Sequence, residues 1–325
     1  MNDAKTFHRE NIVVDGLNAS WFLEPPTLRR LHQGGVTAVN ATLAAWQGQA
    51  ETLEIIAGVY RNLAGHEDLA LQVLSVTDIH RAKASNRVGI IFGFQDTSPI
   101  DAKLNQLEIY HRLGVRIMQL TYNSANPSGY GCQAPEDKGL TGFGREVIAE
   151  MNRLGILLDL SHCGPRTTLE AIAASAKPVA LTHANAAAFV ASPRNKSDDA
   201  LKACAAKGGV IGAVAVPVLI SATMPASLED YLATIDDLVR RVGLDHVALG
   251  PDFMEDMPKA VLEASVRDLP PAAVAAYAAM PLTVGFESVT DMPKVTEGLL
   301  ARGYKPDDVR KVIGGNWLRL YQEVW

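Results

Sequence analysis

The sequence has few cysteines, no long apolar run and no surplus of positive charge. Cys132, Cys163 and Cys204 are far apart and form no CxxC pair. That excludes a disulfide framework and a cysteine-based zinc site, and leaves reduced thiols. No stretch approaches the roughly 18 apolar residues of a membrane span, and the opening MNDAKTFHRENIVVDG lacks a basic region followed by an apolar one. Thirty Lys and Arg against 36 Asp and Glu give a formal charge of −6, with no basic stripe of the kind nucleic acids require. The glycine fingerprints of P-loop and dinucleotide-binding proteins, the GxSxG elbow and any repeat of solenoid length are absent as well. The expectation is a soluble cytoplasmic protein with a small-molecule substrate and neither nucleic acid nor membrane as partner. A homodimer is the default assembly.

What is present is a rhythm of short apolar runs and amphipathic segments over 325 residues, the pattern that forces parallel strands joined by crossover helices. The runs are Ile12 to Asp15, Val36 to Leu43, Leu69 to Val76, Val88 to Phe94, Val115 to Tyr122, Ile156 to His162, Pro178 to His183, Val210 to Val216 and His246 to Asp252. Nine candidates for an eight-stranded (β/α)8 TIM barrel leave one in excess, with the Ile12 or the Val36 run as part of an N-terminal hairpin. Helix stops are legible at Gly114, Gly155 and the Gly208-Gly209 pair, because a left-handed C-terminal residue is cheap for glycine. With no Pro, Gly and Ser linker to part it, the chain reads as a single barrel domain over 1–325. An excursion over 253–287 reads as a lid, and C-terminal helices over 289–325 include a start at Lys305-Pro306-Asp307-Asp308.

Reactive groups in such barrels sit at the C-terminal ends of strands. Asp15, Gln95 with Asp96, Tyr122 with Asn123, His162, His183 and Asp252 each end an apolar run. His162 and His183 close successive strands, so the crossover between them brings the two imidazoles together as acid/base groups or as ligands of one ion. Asp252 follows its strand directly, where burial raises a carboxyl's pKa and suits it to proton transfer, the other reading being a helix N-cap. Arg194 in SPRN is placed to grip a substrate carboxylate. For His8, His32, His66, His80, His111 and His246 a surface role is expected.

Taken together, REVIAEMNRLGILLDLSHC, PVALTHAN, SPRN and LGPDF, with IIFGFQ and RIMQLTYN upstream and GGNWLRLY near the end, resemble the renal (membrane) dipeptidase family, peptidase family M19 of the amidohydrolase superfamily. The resemblance runs from Val13 to about Tyr321. It implies a barrel of the metal-dependent amidohydrolase type with two divalent metals, usually zinc, that hydrolyses dipeptides. It assigns His162 and His183 as metal ligands, Arg194 as the substrate-carboxylate anchor and Asp252 as the active-site aspartate. Gln95 stands where the family has its bridging glutamate, and Tyr122 where its LTHN motif has histidine. The family's Asp-Gly-His-Asn-Asp opening reads Asp15-Gly16-Leu17-Asn18-Ala19, so two further ligands are replaced by residues without donor atoms. A two-metal centre is therefore not expected, because close cations need anionic ligands between them. One divalent ion, zinc for preference, on His162, His183 and Asp252 is the most this donor set suggests. The catalytic candidates are Asp252, His162, His183 and Tyr122, and the substrate-binding candidates are Arg194, Gln95 and Asn123. The alternatives are a dipeptidase-like hydrolase, a metal-independent acid/base enzyme of elimination or isomerisation, and a small-molecule binding protein.

Overall fold

The computed structural model describes residues 4–265, 274–275 and 279–325, in which all nine apolar runs form parallel strands. They are β1 (Val14–Asn18), β2 (Ala38–Ala44), β3 (Ala70–Gln72), β4 (Val88–Phe94), β5 (Val115–Gln119), β6 (Leu157–Asp159), β7 (Ala180–Leu181), β8 (Val210–Ala213) and β9 (Val247–Leu249). Hydrogen bonding runs β1-β2-β4-β5-β6-β7-β8-β9, and β3 pairs with β4 off this path. The ring closes just beyond the last strand, where Asn18 and Phe253 form a parallel bridge and the Ala19 N–H donates to the Phe253 carbonyl at 2.8 Å. The fold is a (β/α)8 barrel.

The strand outside the ring is β3, not the Ile12 or Val36 run. β3 pairs with Val88 to Ile90 of β4, and β5 takes over from Phe92. Both N-terminal runs lie in the ring as the neighbours β1 and β2, with Val14 opposite Ala38, so no hairpin forms there.

Period-two alternation sorts the strand residues into two cores. Val14, Ala38, Ile91, Ile117, Leu157, Ala180, Val210 and Ala248 form one buried cluster with Trp317, Leu320 and Tyr321 of the helix Asn316–Val324. Their sequence neighbours Val13, Ile90, Phe92, Met118, Leu158, Ile211 and Val247 belong to a larger cluster shared with the surrounding helices. The Trp317 indole fills the ring from within and donates from Nε1 to the Leu249 carbonyl at 2.9 Å. Gly16 is obligatory beside it, since a Cβ there would lie 2.4 Å from the Trp317 ring.

The crossovers obey their caps. In Gly142–Leu154 the Thr141 hydroxyl accepts from the Gly144 N–H at 2.9 Å, and Gly155 ends the helix at φ 75° before the chain enters β6. Pro306–Arg310 starts after Lys305, as its sequence indicates. Of the excursion expected to act as a lid, residues 266–273 and 276–278 lie outside the described residues. Its described flanks include the helix Lys259–Ser265 and Val284, whose N–H donates to the Ala226 carbonyl at 2.8 Å. No helix among the described residues is long and apolar enough to cross a membrane.

Candidate active site

Most of the strands stop short of the apolar runs that announce them, and the difference builds the site. Beyond β6 and β7, side chains replace the ladder as partners of the backbone. Asp159, the last residue of β6, accepts from the Ser161 N–H at 3.0 Å, the Ser161 hydroxyl at 2.6 Å, the Thr182 N–H at 3.0 Å and the Thr182 hydroxyl at 2.6 Å. The His183 N–H donates to the Ser161 hydroxyl at 3.1 Å. The polar ends of the β6 and β7 runs thereby leave the sheet in fixed directions without orphaning their N–H groups.

These bonds orient the histidines. The Thr182 hydroxyl gives its one proton to Asp159, so Thr182 Oγ1 accepts in turn from His183 Nδ1 at 2.8 Å. His183 Nε2 is then the acceptor for His162 Nε2, 2.9 Å away. His162 Nδ1 is then an acceptor, so the Asn123 side chain, whose Oδ1 lies 2.7 Å from it, has to turn its amide and present the NH2 group there, and the Tyr122 ring stacks on His162 with centroids 4.4 Å apart. Burial, followed by the nearby Arg194 charge, holds both imidazoles well below their ordinary pKa. The pair is neutral at pH 7.

A cavity of about 370 Å³ opens at this end of the barrel, lined by Gln95, Tyr122, Asn123, His162, Arg194 and Asp252 among others. The structure thus brings six of the seven candidate residues to one surface. The seventh, His183, is fully buried behind His162. Arg194 is anchored by two strand-end carbonyls, donating from Nη1 to Ser161 at 2.5 Å and from Nη2 to His183 at 2.7 Å. Asp252 takes a left-handed φ of 67°, rare for a residue with a side chain, and its N–H donates to the Leu17 carbonyl at 3.1 Å across the seam. No helix starts on it, so the N-cap reading is set aside. Burial pushes its carboxyl up to about 7, against the lowering effect of Arg194.

The Gln95 amide donates to Thr42 Oγ1 at 3.0 Å. Asp96 is no substitute for a bridging carboxylate. Its oxygens accept from the Ser98 N–H and hydroxyl at 2.6 and 2.5 Å and from the Tyr122 N–H at 2.6 Å, tying the loops together from behind the cavity. Leu17 is buried, and Ala19 lines the cavity wall. Among the described residues no three His, Cys, Asp or Glu side chains converge to hold a metal ion. The 2.9 Å gap between the Nε2 atoms is that of a shared proton. It is shorter than the roughly 3.3 Å between two imidazole nitrogens on one tetrahedral zinc with Zn–N of about 2.05 Å.

The sequence reading missed Asp159 and Thr182, although a carboxylate inside the apolar run ILLDLSH was a signal that something polar had to answer it. It also misplaced His8, which is buried. His8 Nδ1 meets Thr296 Oγ1 at 2.6 Å and Nε2 meets the Gly34 carbonyl at 2.9 Å, fastening the N-terminal helix to a C-terminal one.

Comparison with known proteins adds a lineage to this geometry. The sequence model of the family described as Membrane dipeptidase (Peptidase family M19) matches residues 8–268. The dipeptidase tcpJ of Claviceps purpurea is 29% identical over 76% of this chain and 53% of its own length. The dipeptidase aclJ of Aspergillus oryzae is 29% identical over 84% of this chain and 61% of its own. The chain thus spans little more than half the length of these relatives. Among solved structures, an amidohydrolase from Pseudomonas aeruginosa superposes with a TM-score of 0.94 at 35% identity over 99% of both chains. A Rhodobacter sphaeroides metallo peptidase, liganded with a phosphinate mimic of the dipeptide L-Ala-D-Ala, shares the fold with a TM-score of 0.82 at 22% identity, over 97% of this chain and all of its own.

Proposed function

Because the chain belongs to the membrane dipeptidase family, peptidase family M19, we propose that it is a hydrolase of dipeptides or related amides of a small amino acid, acting from the cavity at the barrel mouth. The observation that carries this reading is the grouping of Arg194, Asp252 and His162 on one cavity, with His183 bonded directly behind. A carboxylate anchor, a carboxyl close to neutrality and an imidazole pair are the parts that amide hydrolysis needs.

The donor set does not fit the two-metal centre of the family pattern. Leu17 and Ala19 offer no lone pairs, and Gln95 offers a neutral amide where a bridging anion is required. A single divalent ion such as zinc would have His162 and His183 as ligands and Asp252 as its nearest acidic candidate, and the two rings would have to part to admit it. The steps below are accordingly assigned to side chains. Arg194 takes the substrate carboxylate with the N–H groups left after its two carbonyl bonds. Gln95 and Asn123 orient the amide over the Tyr122 and His162 rings. Asp252 accepts a proton from water as the water oxygen bonds to the amide carbon. Asp252 returns that proton to the nitrogen as the C–N bond breaks, which releases the amine and regenerates the carboxylate, while the neutral imidazole pair holds the amide in place.

The loss of donors at positions 17, 19 and 95 favours a second reading, a metal-independent enzyme of elimination or isomerisation, or a binding protein, on the same pocket. The purified protein is to be assayed with dipeptides and acylated amino acids, with and without added zinc, alongside elemental analysis. Hydrolysis that rises with pH through about 7 and is lost in Asp252→Asn is expected, because only the ionised carboxyl accepts the proton. No cleavage of any amide under either condition would discard the hydrolase, and two tightly held ions per chain would discard the altered site.

A further inference from the structure

The cavity is largely apolar. Its charged groups, Arg194 and Asp252, share it with broad apolar walls. Phe22, Trp46, Ile55, Val59, Met254 and Met257 are among the residues that line it. Ile55 shows how this comes about. It lies on the helix Gln49–Ala64 and packs against the larger core, yet it stays only partly buried because it also lines the cavity. Ala19 and Gln95, where the family pattern has acids, line the same space, so those substitutions remove charge from it. An apolar concavity with a few polar groups is the ordinary form of a small-molecule site, and about 370 Å³ lies within the range such sites span.

Resting on the hydrolase reading above, we infer that the preferred ligand is an N-acyl amino acid with a medium-length or aromatic acyl group. Its carboxylate faces Arg194, its amide lies over His162 and Tyr122, and its acyl group fills the space beside Phe22, Trp46 and Ile55. A dipeptide of two small residues would leave those walls wetted, whereas an acyl chain buries them.

Binding, measured apart from turnover, tests this. N-acyl-L-alanines from acetyl to decanoyl are titrated calorimetrically into the intact protein, below the concentrations at which they aggregate. Affinity should rise about fourfold for each methylene buried until the cavity is full. A flat series would overturn the inference, whether or not dipeptides are cleaved. Ile55→Trp fills the space, and should level the series at a shorter chain. Undiminished decanoyl binding in that variant would overturn the placement. If the series rises but no amide is hydrolysed, the ligand class stands and the hydrolase reading falls. The wild-type series decides the matter even if Ile55→Trp does not fold.

Discussion

Asp159 has no access to the cavity, yet the direction of His183 depends on it. Its four accepted bonds fix Thr182, and Thr182 fixes which nitrogen of His183 carries the proton. Asp159→Asn replaces one acceptor oxygen by an N–H that opposes the Thr182 or Ser161 donors. We expect turnover to fall about 10- to 100-fold, as when a partner that orients a functional histidine is removed, with KM little changed. Stability should fall by about 1–3 kcal/mol from the unsatisfied buried donor. Steady-state kinetics and urea unfolding of the same preparation check both. Equal losses in KM and kcat would show that Asp159 shapes the cavity rather than the imidazole pair. This network explains what the sequence could and could not tell. The residues at the run ends, His162, Tyr122, Gln95 and Asp252, were legible because polarity after an apolar run marks a barrel mouth. Asp159 and Thr182 were not, because the bonds that join them run between the β6 and β7 runs, and a linear pattern records no cross-strand bond.

The elements were read well where periodicity and punctuation agree, and less well where sterics decide. Nine runs and nine strands match, but the strand left out of the ring was misjudged. β3 gives way to β5 along β4 after three residues, a competition between partners that hydrophobicity alone does not express. The helix Asn316–Val324 was read only as one of the C-terminal helices over 289–325. In fact Trp317 reaches the barrel interior, and Gly16 of β1 exists in its present form to admit it. Trp317→Ala should cost about 3–5 kcal/mol, the usual range for removing a buried aromatic. Gly16→Ala forces the indole to move, at about 1–3 kcal/mol. In the double variant Gly16→Ala with Trp317→Ala, the new methyl finds room, so the combined loss should be smaller than the two single losses together. Denaturant unfolding of the set measures that coupling, and strict additivity would mean the two residues do not share the space.

Across the molecule, acids are buried without full compensation. The Asp15 carboxyl, fully enclosed, accepts from the Asn18 amide at 2.9 Å and the Leu17 N–H at 3.2 Å, and burial still pushes its pKa up to about 8. An exposed, unfolded Asp15 releases its proton near pH 4, whereas the folded one keeps it to about 8. Between those values the native state binds the extra proton, so its contribution to stability is complete at low pH and is lost as pH rises toward 8. The melting temperature should accordingly fall from pH 5 to pH 8. Asp15→Asn, which keeps the acceptor oxygen without the ionisation, should flatten that slope. An unchanged slope in the variant would place the effect elsewhere, with Asp252 as the next buried acid to replace.

The seam between the first and last strands carries one further consequence, for how the protein is made. Asn18 meets Phe253, and the Glu255 N–H donates to the Ser20 hydroxyl across a separation of 235 residues. A ribosome adding about 5–20 residues per second needs on the order of 10–50 s to deliver the second half of that seam after the first has emerged. Throughout that interval β1 is an unpaired parallel edge rich in buried-type side chains, and Trp317, which fills the ring, has not yet been synthesised. The sheet must therefore wait, open and adhesive, for its own far end. Slower translation over the first two hundred residues lengthens the wait, so yield during expression should be governed by holding factors that shield that edge as much as by the stability of the finished barrel.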